Sequence, residues 1–98
     1  MRKTIWKYQL KLEDEQSVMV PCGSRVLSIA VQNNSLCIWL FVNPDANTER
    51  HFFHVRGTGH PCEAIDGEEF YGTFFRQGVD LVFHVFGDLP KFVSRLEY

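Results

Sequence analysis

The stretch Arg56-Gly57-Thr58-Gly59-His60 brings a guanidinium, two glycines, a hydroxyl and an imidazole together in adjacent positions. Two glycines allow backbone N–H groups to turn toward one point, which is how a backbone nest binds an anion. Arg56 offers a fork of donors that matches phosphate, and His60 offers a donor that gains charge near neutral pH. The stretch therefore predicts an anion site. The alternative interpretation is a glycine-rich corner between two strands.

The strand before this stretch adds to the candidate site. Because side chains alternate along a strand, Phe53 and Val55 enter the core while Phe52, His54 and Arg56 project to the opposite face. An aromatic ring beside cationic groups suits a stacked nucleobase and its phosphate, although an ordinary amphipathic face with one exposed Phe shows the same pattern. The predicted ligand-binding residues are Phe52, His54, Arg56, Gly57, Thr58, Gly59 and His60.

Motifs of catalysis and of metal binding are missing from the sequence. The Gly-Lys-Ser/Thr ending of a Walker loop does not occur, nor does Gly-x-Ser-x-Gly or a Cys-x2-Cys pair. We therefore expect no catalytic residues, no metal and no cofactor. The alternative hypothesis of an enzyme is a phosphodiesterase that uses His60 or His54 as acid or base. The sequence favours a protein that is not an enzyme.

Alternation of apolar and polar residues predicts about seven short strands and little helix. The strands are expected at 4–12, 17–20, 25–32, 35–42, 49–57, 70–75 and 79–86. Short strands separated by turn signals are typical of β-sandwiches and small barrels. The prediction is one all-β, mainly antiparallel domain over residues 1–98, built as a small sandwich or partly open barrel.

Two hairpins fix the expected register. Asn33-Asn34 suits a type I′ turn, because Asn tolerates positive φ, and it places Ile29 opposite Ile38 and Leu27 opposite Leu40. Both faces of this pair are mostly apolar, which predicts strands covered on both sides.

The second hairpin is expected around Gln77-Gly78. A two-residue turn there places Gly72 opposite Phe83, where glycine makes room for the ring, and Tyr71 opposite His84. We interpret His84 as a hydrogen-bonded core histidine rather than a ligand.

Composition limits the partners and the compartment. Lys and Arg number 10 against 12 Asp and Glu, a net charge of −2, so no general nucleic-acid binding is expected, although a local basic patch stays open. Three cysteines and the lack of a signal peptide indicate a reducing cytosol. No apolar run is long enough to cross a membrane. Because small domains bury a modest share of their surface, we expect a homo-oligomer.

Several stretches resemble a family of short, uncharacterised proteins of phages and prophages. The likeness covers residues 3 to 86 and carries no activity. It implies a phage-encoded accessory protein that acts in a bacterial cytoplasm. The stretches that carry it are Trp6-Lys7-Tyr8, Val31-Gln32 with Trp39, Gly57-Thr58-Gly59-His60-Pro61, Gly72-Thr73-Phe74 and Val82-Phe83-His84-Val85-Phe86.

The expected function joins the site to this resemblance. The first hypothesis is a binding protein that sequesters a phosphate-bearing small molecule, such as a nucleotide signal used in host defence. The alternative is a protein–protein interaction module or a virion-associated module, with a host protein as one partner and no small-molecule ligand.

Overall fold

Seven β-strands and no helix make up the described chain. The computed structural model describes residues 2–63, 65–76, 78 and 80–93. The strands, in chain order, are β1 (Thr4–Leu10), β2 (Glu15–Pro21), β3 (Arg25–Gln32), β4 (Ser35–Val42), β5 (Thr48–Gly57), β6 (Glu69–Arg76) and β7 (Leu81–Gly87). No helix that could span a membrane occurs in this part of the chain.

The strands form two antiparallel sheets that pack face to face as an open sandwich. The three-stranded sheet has the order β1-β4-β3, and the four-stranded sheet has the order β2-β5-β7-β6. Of the two predicted architectures, a small sandwich or a partly open barrel, the sandwich is the one that forms. The core between the sheets consists of Leu10, Val20, Val26, Leu36, Ile38, Leu40, Val42, Phe53, Val55, Phe74, Val85 and Leu89.

The β3–β4 hairpin forms with the predicted turn. Asn33 and Asn34 have φ angles of 51° and 62°, the left-handed values that a type I′ turn requires. The predicted pairing of Ile29 with Ile38 is confirmed. The predicted pairing of Leu27 with Leu40 is wrong, because a β-bulge between Val26 and Ser28 shifts the register.

The bulge exchanges two neighbouring side chains between the faces of β3. Val26 pairs with Leu40 and is 3% exposed, whereas Leu27 turns outward and is 36% exposed. Ser28 and Ala30 are exposed on the same outer side. The expectation that both faces of this hairpin are covered is therefore wrong, since the outer face of the three-stranded sheet is open.

The β6–β7 hairpin departs further from its prediction. Strand β6 ends at Arg76 and β7 begins at Leu81, so the connection is longer than the predicted turn Gln77-Gly78, of which Gln77 lies outside the described residues. The longer connection and a β-bulge between Phe70 and Gly72 place His84 opposite Thr73 and Gly72 opposite Val85. The predicted pairs Tyr71–His84 and Gly72–Phe83 are wrong for this reason.

The chain after β7 attaches to the edge of the three-stranded sheet. The backbone N–H of Val26 donates to Pro90 O over 2.9 Å, and the N–H of Phe92 donates to Val26 O over 2.8 Å. The Phe92 ring meets the edge of Phe41 at a centroid distance of 5.2 Å. The rest of the tail, residues 94–98, lies outside the described part of the chain.

Candidate functional site

The predicted site residues of β5 lie on the outer face of the four-stranded sheet. Phe53 and Val55 enter the core, so Phe52, His54 and Arg56 project outward as the alternation predicts. Their environments differ. Phe52 is 41% exposed, but His54 and Arg56 are only 6% and 9% exposed, because the turn before β2 and the loop after β5 contact them.

The guanidinium of Arg56 donates its hydrogen bonds to backbone carbonyls of the protein itself. Its Nη1 donates to the carbonyl oxygens of Asp14 and, over 3.3 Å, Val55, and its Nη2 donates to Glu63 O over 3.3 Å. Asp14 belongs to the β1–β2 turn and Glu63 to the loop after β5. Arg56 therefore ties two loops to the sheet, and little of its fork is left for a phosphate.

His54 lies between two carboxylates. Its Nε2 is 3.3 Å from Glu15 Oε2, and its Nδ1 is 2.6 Å from Glu68 Oε1. The second contact is short enough for an ion pair, but its angles are not those of a hydrogen bond. A phosphate at His54 would meet two like charges, so this position is unsuited to an anion.

The stretch after Arg56 forms a tight corner. Gly59 has a φ of 87°, and the N–H of His60 donates to Gly57 O over 3.0 Å. The N–H of Thr58 donates to Val82 O over 3.0 Å. Two of the N–H groups that a nest would present to an anion are thus already bonded to carbonyls, which supports the strand-corner interpretation.

His84 connects three of the stretches that carry the sequence resemblance. Its Nε2 is 2.8 Å from the hydroxyl of Thr58, and its Nδ1 is 2.9 Å from the hydroxyl of Thr73. His84 is hydrogen-bonded as predicted, but it is half-buried on the outer face instead of in the core. Residues distant in sequence therefore meet at one polar cluster beside Arg56, which pairs with His84 across the strands.

Two shallow depressions flank the exposed ring of His60. One, of about 330 Å³, is lined by Asp14, Arg56, His60, Pro61 and Glu63. The other, of about 360 Å³, is lined by Gly57, Thr58, His60, Asp80, Leu81, Val82 and Phe83. Arg56 and His60 thus share a cavity that His54 and Phe52 do not line, and each depression has at least one carboxylate in its lining.

A larger cleft lies at one end of the sandwich, away from the predicted site. Its volume is about 440 Å³, and Lys11 and Arg76 are its charged lining residues; none of the described residues that line it is acidic. Gln9, Asn34 and Ser35 add polar groups. The apolar lining consists of Leu10, Leu12, Val31, Leu36 and Phe74.

Three separate turns place the polar groups of this cleft. The Gln16 side chain accepts from Lys11 N over 2.8 Å and donates to Lys11 O over 2.7 Å, which closes the β1–β2 connection. Asn34 occupies the β3–β4 turn, and Arg76 ends β6. Lys11 Nζ lies 3.8 Å from Glu13 with both side chains largely exposed, a pairing of roughly 0–1 kcal/mol. Lys11 is therefore available to a ligand.

A second polar cluster surrounds His51. Its Nδ1 lies 2.8 Å from Asp88 Oδ1 and its Nε2 lies 2.8 Å from Glu49 Oε1. Burial alone would lower the pKa of His51, but the hydrogen bonds and charges of Glu49 and Asp88 outweigh it and raise the pKa. Desolvation and a hydrogen bond to Glu49 raise the pKa of the Cys22 thiol, which opposes formation of a reactive thiolate.

No group of three or more His, Cys, Asp or Glu in the described ranges could hold a metal ion. The three cysteines, Cys22, Cys37 and Cys62, are all free.

Comparison with protein families identifies a family for this chain. The model of an uncharacterised family, described as Domain of unknown function (DUF7352), matches residues 1–94. The comparison with curated proteins gives no match, and neither does the comparison with solved structures.

Proposed function

The chain belongs to the DUF7352 family, a domain of unknown function, and from this starting point we propose that it binds a phosphate-bearing small molecule in the cleft between Lys11 and Arg76. The class of ligand proposed is a nucleotide, such as a signal of host defence. The resemblance to phage proteins supports a phage-encoded accessory protein that works by sequestration in the bacterial cytoplasm.

The charge of the cleft carries this proposal. Lys11 and Arg76 line it, and none of its other described lining residues is acidic, whereas the depression beside Arg56 contains the carboxylates of Asp14 and Glu63. Cationic side chains bind phosphate oxygens through charge-assisted hydrogen bonds, and an Arg fork binds two of them at once. The two cations therefore favour phosphate at the end of the sandwich over phosphate at the originally predicted loop.

The rest of the lining suits the body of a nucleotide. Leu10, Leu36 and Phe74 form an apolar floor, and the amides of Gln9 and Asn34 offer donors and acceptors at its edge. The volume of about 440 Å³ falls within the roughly 300–1,000 Å³ of small-molecule sites. A base would lie on the floor while its phosphate reaches the cationic rim.

Calorimetry against nucleoside mono- and triphosphates and cyclic nucleotides tests the proposal. We expect one of them to bind the wild type, and Lys11→Ala with Arg76→Ala to weaken binding by about tenfold or more, the equivalent of 1.4 kcal/mol. Arg50→Ala, an exposed change on β5 outside the cleft, serves as the matched control. Absence of binding throughout the panel, or equal binding by the cleft variant, refutes the proposal. Recovery of the nucleotide unchanged after incubation separates sequestration from hydrolysis.

A protein–protein interaction module is the second candidate, and the edge of the four-stranded sheet favours it. Phe75 of β6 is 73% exposed, and Leu81 and Phe70 are 50% and 43% exposed. An edge strand with exposed apolar side chains can pair with a strand of another chain, and a second copy would give the proposed homo-oligomer. Sedimentation tests this candidate: Phe75→Lys is expected to dissociate the oligomer, whereas Met19→Lys, on the opposite edge strand β2, is expected to leave it intact.

A further inference from the structure

Acidic residues are absent from the strands of one sheet. Strands β1, β3 and β4 contain no Asp or Glu, and neither do residues 2–12 and 16–44 as a whole. The basic residues of these two segments are Arg2, Lys3, Lys7, Lys11 and Arg25. The net charge of the protein is slightly negative, but the charged side chains of the three-stranded sheet are all positive.

The outer face of that sheet contains an apolar trough beside an aromatic ring. The trough has a volume of about 390 Å³ and is lined by Ile5, Leu27, Ser28, Ala30 and Trp39. The β-bulge that turns Leu27 outward creates one of its walls. Trp39 lies in the central strand β4, where Lys7 of β1 and Ser28 of β3 are its direct cross-strand neighbours.

Cations surround this trough without carboxylate partners in the described chain. Lys7 Nζ donates to Gln32 Oε1 over 2.7 Å, a bond that leads from β1 to β3 and leaves the positive charge uncompensated. Lys3 Nζ lies 5.5 Å from the centroid of the Phe41 ring, and Arg25 pairs with Phe41 across the strands. Positive charge therefore stands beside the trough in at least three places.

We propose that the outer face of the three-stranded sheet binds single-stranded nucleic acid. A base stacks in the trough against Trp39, and neighbouring phosphates contact Lys3, Lys7 and Arg25. Proteins that bind single strands combine aromatic stacking surfaces with a cationic track for the backbone. Duplex DNA keeps its bases paired and stacked inside the helix, so it cannot place a base face in the trough.

The charge distribution also sets the strength of binding. Three phosphate contacts to a single strand predict that log K falls with log salt concentration at a slope of about −2, from roughly −0.7 for each contact. Among the described residues, the acidic ones lie in the four-stranded sheet and in loops, where they repel the backbone and restrict binding to one face. Binding is therefore expected at low salt and with little preference for sequence.

Fluorescence anisotropy with a labelled oligothymidine tests the inference at several salt concentrations. We expect Lys7→Gln to reduce the salt slope by about 0.7, and Trp39→Leu to weaken binding several-fold without changing the slope. Trp39→Phe retains a ring and is expected to keep most of the affinity. Arg50→Gln removes a positive charge from β5 of the other sheet and is the matched control, expected to bind as the wild type does.

Four results would overturn the inference. They are no binding by the wild type at low salt, equal binding to a duplex, an equal loss in Arg50→Gln, and competition by polyglutamate as strong as that by unlabelled oligonucleotide. The last result would assign the face to an acidic protein. Because Lys11→Ala with Arg76→Ala changes the cleft and leaves Trp39 and Lys7 in place, failure of this inference and failure of the proposed function are distinguishable.

Discussion

Ile29 of β3 meets Gly72 of β6 across the two sheets, where a Cβ at position 72 would lie 3.1 Å from both Cγ1 and Cδ1 of Ile29. Gly72 also has a φ of 151°, a value that residues with a Cβ rarely adopt. The glycine thus admits an aliphatic side chain from the other sheet. It does not serve Phe83, the neighbour predicted from the two-residue turn.

Gly72→Ala is expected to destabilise the protein by about 1–3 kcal/mol through overpacking. Ile29→Val removes Cδ1 and by itself costs about 0.5–1.5 kcal/mol, but it relieves part of the clash. The double variant should therefore be more stable than the sum of the single effects predicts. Urea denaturation of all four proteins measures this, and additivity within about 0.5 kcal/mol would contradict it.

Arg56 is expected to act on stability and not directly on ligand binding. Arg56→Ala removes the donors that hold the carbonyls of Asp14 and Glu63 to the sheet and should cost roughly 1.5–3 kcal/mol, the range for hydrogen bonds to a charged group. Arg56→Lys should lose less, because an ammonium keeps the charge without the planar fork. Denaturation measures both variants. A nucleotide affinity that is abolished in a still-folded Arg56→Lys protein would show that Arg56 belongs to the binding site.

His51 predicts a pH dependence of stability. Its pKa in the folded protein is raised above the ordinary value of 6.5, so folding favours the protonated ring held by Glu49 and Asp88. The stabilisation is fully present below that value and is lost as the pH rises through the folded-state pKa.

Comparison with His51→Gln isolates this effect. The difference in unfolding free energy between wild type and His51→Gln should shrink as the pH rises from the ordinary histidine value of 6.5 through the raised folded-state pKa. Thr48→Ala, an exposed change on the same strand in a side chain that does not ionise, is the control and should show no such trend. If the difference in unfolding free energy between wild type and His51→Gln does not change with pH, Glu49 and Asp88 do not stabilise the protonated His51 ring.

Tyr71 is expected to stay protonated for as long as the protein is folded. Burial raises its pKa, and its hydroxyl donates to Leu89 O over 2.7 Å, a bond that only the protonated phenol can make. The ring also packs against Phe53 at a centroid distance of 6.0 Å. Tyr71→Phe should cost about 1–2 kcal/mol, because the Leu89 carbonyl loses its partner.

Alkaline spectrophotometric titration provides the readout that denaturation lacks. Below the pH of unfolding, the wild type and Tyr71→Phe should give the same tyrosinate absorbance, since Tyr71 contributes none in the folded state. An additional tyrosinate signal in the folded wild type would contradict the assigned burial.

The sequence predicts the strands well and the β-bulges poorly. Period-two alternation locates all seven strands. The pair Asn33-Asn34 predicts a type I′ turn, because both residues tolerate positive φ. The bulge at Leu27 is invisible because Val26 and Leu27 are both apolar, so the pattern does not say which of them turns inward. In the second hairpin, Gly78 and Asp80 are both residue types that favour turns, so the sequence does not say how long the turn is. The connection between Arg76 and Leu81 is longer than the predicted two-residue turn.

The site could be predicted only in part. Alternation along β5 places His54 and Arg56 on the outer face, but their partners are carbonyls and carboxylates of distant loops, which have no local sequence signature. The cleft between Lys11 and Arg76 could not be predicted, because its polar residues come from three segments that are distant in sequence and meet only in the fold. The absence of acidic residues from 2–12 and 16–44 can be read directly from the sequence, but only the fold shows that β1, β3 and β4 form one sheet.

The strand order has a consequence for how fast the protein folds. The hairpins β3–β4 and β6–β7 join neighbours in the chain, but β1 pairs with β4 and β2 with β5, and these pairings close long loops. Closing a long loop lowers the conformational entropy of the chain before the stabilising contacts form, and this slows folding. All-β domains of this kind therefore fold in milliseconds to seconds. The β3–β4 hairpin, preset by its two asparagines, is the natural nucleus, and the β2–β5 pairing is expected to form late.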